Sequence, residues 1–308
     1  MKLSAQLPVH RVDAFDELAS RDAITELSIA AEAAGFDAVF VTEHPFPADE
    51  WLASGGHHAP DPFVCLAVAA TVTEHLRLQT NLCIPAYRNP FLLAKAVSTL
   101  DALSSGRVIL GIGAGYMEGE FTALGVDYEE RNELTDEAIG AMRAAWSGES
   151  VAMEGRRFCA AGNTMLPAAA QAEGPPIWVG GNSRRAMRRA VEMCDGWVPM
   201  PSSPKATTRL RTPGIATTDE LRGRILEAHE HAKEVGRTKA LEVAFMPVGL
   251  DMFTNAAVQP SAVIDSVHEL ATAGVTYGCI TIPGETRAAV RSNIDVFAAD
   301  IIPAVADA

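Results

Sequence analysis

The sequence RVILGIGAGY, Arg107 to Tyr116, is the stretch that decides the fold class of this chain. Its apolar run from Val108 to Ile112 is short and unbroken, which is typical of a fully buried strand. The run ends among glycines, and the chain then turns polar. Because glycine has no Cβ, such a backbone can lie close to a ligand. The stretch therefore predicts a buried strand whose end contacts a phosphate or a flat redox ring, although glycine-rich ends also occur at ordinary turns.

The same arrangement of a short apolar run followed by a helical pattern recurs along the chain. The predicted strands are residues 2–8, 36–41, 76–84, 108–112, 176–179, 196–199, 241–248 and 277–282. Strands that alternate with helices in this way form a parallel sheet covered by helices. Eight such units in 308 residues favour a closed (β/α)8 TIM barrel over an open doubly wound sheet. The first strand also lacks the GxGxxG fingerprint of dinucleotide-binding folds.

The boundaries of several helices can be predicted from capping residues. Apolar residues at helical spacing predict a helix from Arg21 to Ala34, and Gly35 follows its last turn. Asp61, Thr218 and Ser261 are the predicted N-caps of three further helices.

Composition and charge limit the class of protein. No change in composition marks a domain boundary, so we expect a single TIM-barrel domain over residues 1–308, with an irregular insertion at about 147–175. The formal net charge of −14 and the lack of a Lys/Arg-rich run argue against nucleic acid or an anionic membrane surface as a partner. No apolar stretch reaches the ~20 residues of a spanning helix, and the N-terminal apolar run is too short for a signal peptide. The five cysteines show no metal-binding spacing, so a cytoplasmic protein without a metal site is predicted.

In a barrel of this kind, the carboxyl ends of all strands meet at one mouth, where active sites lie. Glu43 and His44 follow the second predicted strand, and Asn81 lies near the end of the third. His44 either takes part in proton transfer, because imidazole titrates near neutral pH, or fixes its loop by bonding a carbonyl. Asn81 is polar in an otherwise apolar strand and needs a partner, which at the mouth can be a ligand.

The segment Gly180-Gly181-Asn182-Ser183 leads from the fifth predicted strand into a helix. Free backbone N–H groups and the helix dipole favour an anion at such a position, so the segment is a predicted phosphate site. The alternative is an ordinary N-cap formed by Asn182 or Ser183.

The remaining histidines form no convincing cluster in the sequence. His57 and His58 are adjacent, but no further ligand at suitable spacing completes a metal site, so a solvated loop is predicted. His10 belongs to no recognisable constellation. The loops at 46–60 and 201–218 are candidate lids over the mouth. The segments 117–132 and 251–260 are also predicted loops, the first with one short turn.

Three blocks of the sequence match one family together. They are AEAAGFDAVFVTEH at residues 31–44, a long block that begins LRLQTNLCIPAYRNP at residues 76–146, and PPIWVGGNSRRAMRRAVEMCDGWVP at residues 175–199. The chain thereby resembles the bacterial luciferase-like monooxygenase superfamily, and within it the oxidoreductases that depend on the deazaflavin coenzyme F420. The resemblance covers residues 1–200 well and the remainder loosely.

The resemblance implies a (β/α)8 barrel that binds reduced FMN or F420 at its mouth. It implies a non-prolyl cis peptide at Asn81–Leu82 that supports the ring, and it places Glu43 and His44 at the ring, with His44 as the acid or base. The implied contacts of the cofactor's arm and phosphate are Gly113, Ala114 and Gly115 for the arm, and Gly180 and Gly181, with Asn182 beside them, for the phosphate.

Two residues depart from the pattern of F420-dependent dehydrogenases. Tyr116 stands where some of them have a catalytic carboxylate, and Ala48 stands where they have a tryptophan four residues after the loop histidine. The sugar-phosphate dehydrogenase mechanism is therefore not carried over to this chain. Either Tyr116 donates a proton or His44 acts alone.

We accordingly expect an F420-dependent oxidoreductase that transfers a hydride between the deazaflavin and a small organic substrate. One alternative is an FMN-dependent monooxygenase that uses O2 and a separate reductase, and another is a non-catalytic flavin-binding protein. A sugar-phosphate isomerase would need two carboxylates or a lysine base at the mouth, and neither is recognisable there. A homodimer is expected by analogy with the family.

Overall fold

The chain folds into a closed barrel of eight parallel strands surrounded by helices, as predicted. The computed structural model describes residues 1–202, 207, 212–248 and 258–306. In chain order the strands are β1 (Lys2–Gln6), β2 (Ala38–Val41), β3 (Arg77–Thr80), β4 (Val108–Ile112), β5 (Val151–Gly155), β6 (Phe158–Asn163), β7 (Ile177–Gly180), β8 (Gly196–Val198), β9 (Glu242–Phe245) and β10 (Tyr277–Thr281). The barrel order is β1-β10-β9-β8-β7-β4-β3-β2, and it closes because β1 also pairs with β2.

The helices lie between the strands, as the alternating sequence pattern predicts. Those of the described residues are α1 (Arg21–Ala34), α2 (Asp49–Ala53), α3 (Pro62–Val72), α4 (Pro90–Leu103), α5 (Glu118–Ala123), α6 (Arg131–Trp146), α7 (Arg184–Met193), α8 (Thr218–Glu234), α9 (Pro260–Ala273), α10 (Arg287–Val296) and α11 (Ile302–Val305). None of these helices is both long enough and apolar enough to cross a membrane, within the part of the chain that the structure describes.

Local hydrogen bonds set the helix boundaries. Asp61 caps α3 as predicted, because its carboxylate accepts two backbone N–H groups of the first turn. The predicted cap of α8, Thr218, is wrong, since the hydroxyl of Thr217 accepts a backbone N–H of that helix instead. The predicted cap of α9 is also wrong: the helix begins at Pro260, and Ser261 lies inside it.

The insertion at 147–175, predicted to be irregular, contains an antiparallel hairpin of β5 and β6. Strand β6 buries only Ala160 among its six residues, so no alternation of apolar and polar residues marks it as a strand in the sequence. The segment after the hairpin is tied to the barrel by the buried Asp101 of α4. Its carboxylate accepts hydrogen bonds from the backbone N–H groups of Ala170 and Gln171 at 2.9 and 3.1 Å.

Two segments predicted as loops contain short helices. Helix α2 lies in the loop at 46–60, and α5 lies in the segment 117–132, where only one short turn was expected. Neither helix has a side-chain N-cap, so no capping signal marks it in the sequence. Most of the loop predicted at 251–260, and parts of the loop at 201–218, lie outside the described residues.

Large side chains fill the inside of the barrel. Phe40, Ile109, Trp178 and Tyr277 form one buried cluster there, from four different strands. The barrel is therefore a packed core rather than a channel, and a ligand has to bind at its mouth.

Candidate active site

The predicted site residues follow four strands that are neighbours in the barrel. Strands β2, β3, β4 and β7 are consecutive in the barrel order and parallel. Their carboxyl ends therefore bring Glu43 with His44, Asn81 with Leu82, the segment 113–116 and the segment 180–182 to one arc of the mouth. The placement of these residues at the mouth is confirmed.

The peptide bond between Asn81 and Leu82 is cis, at the position that the resemblance implied. The chain remains paired with its neighbours on both sides of this bond. The Asn81 N–H donates to the carbonyl of Val41 at 2.7 Å, and the Cys83 N–H donates to the carbonyl of Gly111 at 2.9 Å. The side-chain amide of Asn81 makes no hydrogen bond with any residue in the described part of the chain, and it is half-buried at the mouth.

The glycines at the ends of β4 and β7 leave room for the side chain of Leu82. A Cβ on Gly180 would overlap the side chain of Leu82, and a Cβ on Gly113 would lie 3.3 Å from the same side chain. Leu82 thus lies over the space that both glycines leave open. This packing explains the glycines without a ligand, and their contact with a cofactor stays a prediction.

The loop after β4 exposes only its last residues. Gly113 is buried, whereas Ala114, Gly115 and Tyr116 are partly exposed. Gly115 has a φ of 84°, and a Cβ there would lie 2.7 Å from the ring of Phe121. A ligand at this loop can therefore meet the segment 114–116 more readily than Gly113.

Glu43 holds the chain that follows β3. Its Oε2 atom accepts a hydrogen bond from the Ile84 N–H at 2.7 Å, and its Oε1 atom pairs with the guanidinium of Arg88. A buried carboxylate needs such partners, because desolvation otherwise disfavours its charge. Both oxygens of Glu43 are engaged by the protein, so its visible role is to support the Asn81–Leu82 segment, and direct contact with a cofactor ring stays a prediction.

His44 is enclosed by aromatic side chains and one carboxylate. Its side chain is only 10% exposed, and its Nδ1 atom lies 3.6 Å from the Oε2 atom of Glu120. The ring centroids of Trp51, His57 and Tyr116 lie 4.5, 4.9 and 6.4 Å from that of His44. Among the described residues, Nδ1 of His44 has no partner within hydrogen-bonding distance.

Sequence reasoning missed Glu120, which is buried on α5. Its Oε1 atom accepts the Phe46 N–H at 3.2 Å, and its Oε2 atom accepts the hydroxyl of Tyr87 at 2.9 Å. Burial raises the pKa of Tyr87, and the charge of Glu120 raises it further, so this tyrosine stays protonated and donates. No local pattern reveals this carboxylate, because its partners Tyr87 and Phe46 lie 33 and 74 residues away in the chain.

His57 and His10 were predicted to lie outside any cluster, and this prediction is wrong. The ring of His57 contacts those of His44 and Trp51, and the ring of His10 lies 5.4 Å from that of His57. These residues come from two loops, the one after β1 and the one between β2 and α3, which meet only in the folded barrel. His58 is exposed.

Ala48 stands where the family pattern has a tryptophan beside the loop histidine. In the structure, Trp51 takes that position next to His44. It lies on α2, three residues further along the chain, and its ring is tilted by 39° against that of His44. A short helix in the loop brings it back to the histidine.

Asn182 has a structural role that the sequence did not reveal. Its side-chain N–H groups donate to the carbonyls of Met200 and Pro213, both at 2.9 Å, and its Oδ1 atom accepts the Met200 N–H at 2.9 Å. Ser183, rather than Asn182, caps α7. The amide of Asn182 thus fixes the chain after β8, and its contact with a cofactor stays a prediction.

The groups that remain without protein partners suit a flat heterocycle with polar edges. Within the described residues, the hydroxyl of Thr42 is buried and unpartnered, and the amide of Asn81 is unbonded. Leu82 adds a partly exposed apolar surface between them. A buried polar atom without a protein partner is costly, so these groups fit a bound ligand that supplies the missing hydrogen bonds.

A cavity of about 680 Å³ lies beside His44, which forms part of its wall. Its walls are the segments 45–49 and 58–60, together with Val12, Leu52, Gly119 and Ala123. Most of these residues are apolar, and Asp49 is the only carboxylate among them. A cavity of this size can hold a small organic molecule.

The closed parallel barrel defines a (β/α)8-barrel protein, with its unpartnered polar groups at the mouth. The profile of the luciferase-like monooxygenase family matches residues 3–246, and the chain belongs to that family. An F420-dependent glucose-6-phosphate dehydrogenase from Beutenbergia cavernae is 36% identical over 188 residues, which cover 59% of this chain and 53% of that protein. The chain thus spans about half the length of this relative.

Two solved structures share the fold over nearly the whole chain. The monooxygenase RslO1 from Streptomyces bottropensis superposes with a TM-score of 0.77 at 20% identity, covering 98% of this chain and 99% of that one. An F420-dependent secondary alcohol dehydrogenase, in complex with an F420–acetone adduct, superposes with a TM-score of 0.75 at 20% identity, covering 99% and 98%. At this level of identity the likeness establishes the fold alone.

Proposed function

We propose that this protein is an F420-dependent oxidoreductase, which transfers a hydride between the deazaflavin and a small organic substrate. The observation that carries the proposal is the arc of the mouth where Thr42 and Asn81 keep unpartnered polar groups beside the exposed surface of Leu82. The F420-dependent dehydrogenases among its relatives support the choice of cofactor.

The residues of the chain bind and orient the cofactor, and one of them transfers a proton. Asn81 and Thr42 supply hydrogen bonds to the edge of the heterocycle, and Leu82 packs against its face. Bound F420 would accept or supply the hydride. His44 takes the proton of a substrate hydroxyl, or returns one to a carbonyl oxygen, as a general base or acid. The wall formed by Trp51, together with the enclosed His44, keeps water away from the reacting groups.

Glu120 orients His44 for this task. A carboxylate beside Nδ1 favours the tautomer with its proton on Nδ1, which leaves Nε2 as the atom that exchanges a proton with substrate. Tyr87 and the Phe46 N–H hold the carboxylate in place. Tyr116, whose ring faces that of His44, is the second candidate proton donor.

The cavity beside His44 favours an uncharged, mainly apolar substrate. Its described walls contain no lysine or arginine, and Asp49 would repel a phosphate. Sugar phosphates, the substrate class of the relative from Beutenbergia cavernae, fit such walls poorly.

A monooxygenase that uses reduced FMN and a separate reductase is the alternative, and the name of the family favours it. FMN and F420 share the tricyclic shape that the arc would hold. Only a comparison of the measured affinities for the two cofactors can therefore distinguish the two functions.

Titration of the purified protein with F420 and with FMN, followed by fluorescence, tests the cofactor. We expect F420 to bind more tightly than FMN, and tight binding of FMN with none of F420 would contradict the proposal. His44→Gln should keep F420 binding and lower kcat by roughly 10²–10⁴-fold. An unchanged kcat would remove His44 from the mechanism.

We also infer a homodimer formed through the outer faces of α3 and α4. Helix α3 carries no charged residue, and its Val64 is 67% exposed, while Leu92 and Leu103 of α4 are 70% and 75% exposed. A helix that is apolar on all sides needs cover on its outer face as well. Two copies of a chain with a net charge of −14 repel each other least through a face without exposed carboxylates. Helix α3 is uncharged and α4 exposes only the cation Lys95 beside Leu92, which favours a second copy as the cover.

A further inference from the structure

Three imidazole rings lie in contact, from the enclosed His44 outward. The centroids of His44 and His57 are 4.9 Å apart, and those of His57 and His10 are 5.4 Å apart, each pair edge to face. Of these three histidines, only His44 takes part in the hydride chemistry proposed above. A proton that arrives on His44 still has to leave, because the ring is nine-tenths buried.

The hydrogen bond of His57 fixes its tautomer. Its Nδ1 atom lies 2.9 Å from the carbonyl oxygen of His58. A carbonyl can only accept, so Nδ1 of His57 carries the proton, and Nε2 of the neutral ring holds the free lone pair. Burial lowers the pKa of His57, the nearby imidazoles of His44 and His58 lower it further, and its bond to the His58 carbonyl and the charge of Glu120 oppose them. The ring is therefore a neutral proton acceptor at neutral pH.

His10 is fixed in the opposite tautomer. The Gln6 side chain accepts the hydroxyl of Thr281 with its oxygen at 2.8 Å, so its NH2 group faces Nδ1 of His10 at 3.5 Å. Nδ1 of His10 therefore accepts, and its proton lies on Nε2. Burial lowers the pKa of His10 to about 4, with the charges of His57 and Arg11 acting the same way and Asp13 opposing them. His10 thus stays neutral, and its ring packs edge to face against that of His57 without a hydrogen bond to Nε2 of that ring.

We propose that His57 shuttles protons between His44 and solvent, and that His10 keeps the His57 ring oriented for this step. The inference rests on the proposed role of His44 in proton transfer. One N–H bond of the protonated His44 breaks as an N–H bond forms on Nε2 of His57, and water then takes that proton. No hydrogen bond joins these two rings among the described residues, so one water bridges their nitrogens in this step. His57 is partly exposed, whereas only 10% of the His44 side chain is accessible, so His57 gives the proton a second route to solvent.

NMR of the 15N-labelled protein without cofactor tests the shuttle. Long-range 1H–15N correlations should show the Nδ1–H tautomer for His57 and the Nε2–H tautomer for His10. Exchange of the His44 ring proton with water should slow by about tenfold or more in His57→Phe and in His57→Gln. Added imidazole should restore it. His229→Gln, at an exposed position on α8, should leave it unchanged.

The results separate this inference from the proposed function. An Nε2–H tautomer for His57, or unchanged exchange of the His44 proton in both folded variants, would overturn the shuttle. Near-ultraviolet circular dichroism shows whether each variant is folded, and two substitutions of different size guard against loss of structure. A failure of wild-type protein to turn over F420 would reject the oxidoreductase, while the exchange measurement would still decide whether His57 serves His44.

Discussion

The Nδ1 atom of His44 lies 3.6 Å from the Oε2 atom of Glu120, and both side chains are almost fully enclosed. This separation is slightly too long for a hydrogen bond. A small movement of the His44 loop would close it, and catalytic hydrogen bonds often tighten only when substrate binds. The carboxylate of Glu120 is fixed in position, because its two oxygens accept hydrogen bonds from the Phe46 N–H and the Tyr87 hydroxyl.

Replacing Glu120 tests whether this carboxylate positions His44. Glu120→Gln keeps the size and one acceptor of the side chain but removes its charge. We expect F420 affinity to be unchanged, kcat to fall about tenfold or more, and the pH dependence of kcat to shift, because the imidazolium loses its counter-charge. Steady-state kinetics over a range of pH measures all three. Glu118→Gln, at an exposed position two residues earlier, is the control, and equal kcat in both variants would refute the role.

The packing of Leu82 over the glycines predicts a specific loss of stability. Gly180→Ala places a methyl group on the Leu82 side chain and should lower the free energy of unfolding by about 1–3 kcal/mol. Leu82→Ala in the same chain should recover part of this loss by opening the space. Urea unfolding measures both. Gly140→Ala on α6 is the control: nothing lies within 4 Å of the added Cβ, so this change should be neutral or slightly stabilising. A Gly180→Ala protein as stable as wild type would show that Leu82 can move away freely.

The barrel could be predicted from sequence because its signals are local. Buried parallel strands are unbroken apolar runs, and helices such as α1 and α3 carry their caps in neighbouring residues. The elements that escaped prediction lack such signals. Helices α2 and α5 have no side-chain cap, and strand β6 shows no alternation of apolar and polar residues.

The site was predictable only in part, because most of its contacts join residues that are far apart in the sequence. The arrival of His44 and Asn81 at the mouth follows from strand direction alone. The contacts of His44 with Glu120, His57 and Trp51 depend on how separate loops fold back, which no local pattern encodes. The same holds for Asn182, whose partners lie 18 and 31 residues further along the chain.

His10 gives the protein a pH-dependent contribution to stability. The pKa of His10 falls from 6.5 in the unfolded chain to about 4 in the folded protein, mainly through burial. Between these values the unfolded chain binds the extra proton, so the free energy of unfolding should drop as the pH falls from 6.5 towards 4. We expect a loss on the order of 1–2 kcal/mol that is absent from His10→Asn. Urea unfolding at about pH 7.5 and about pH 5 measures it, and equal losses in both proteins would contradict the assignment.

The uncharged outer face of α3 predicts where two copies meet. Val64→Glu places a charge on that face, and burying it against a second copy would be strongly unfavourable. Sedimentation velocity should therefore show a dimer for the wild type and a monomer for the variant, with F420 affinity unchanged because α3 is not part of the proposed cofactor arc. Leu226→Glu is the matched control, since Leu226 is 56% exposed on α8, away from this face, and its variant should remain dimeric. A dimer that survives Val64→Glu, or a monomeric wild type at micromolar concentration, would show that some other partner, or none, covers α3.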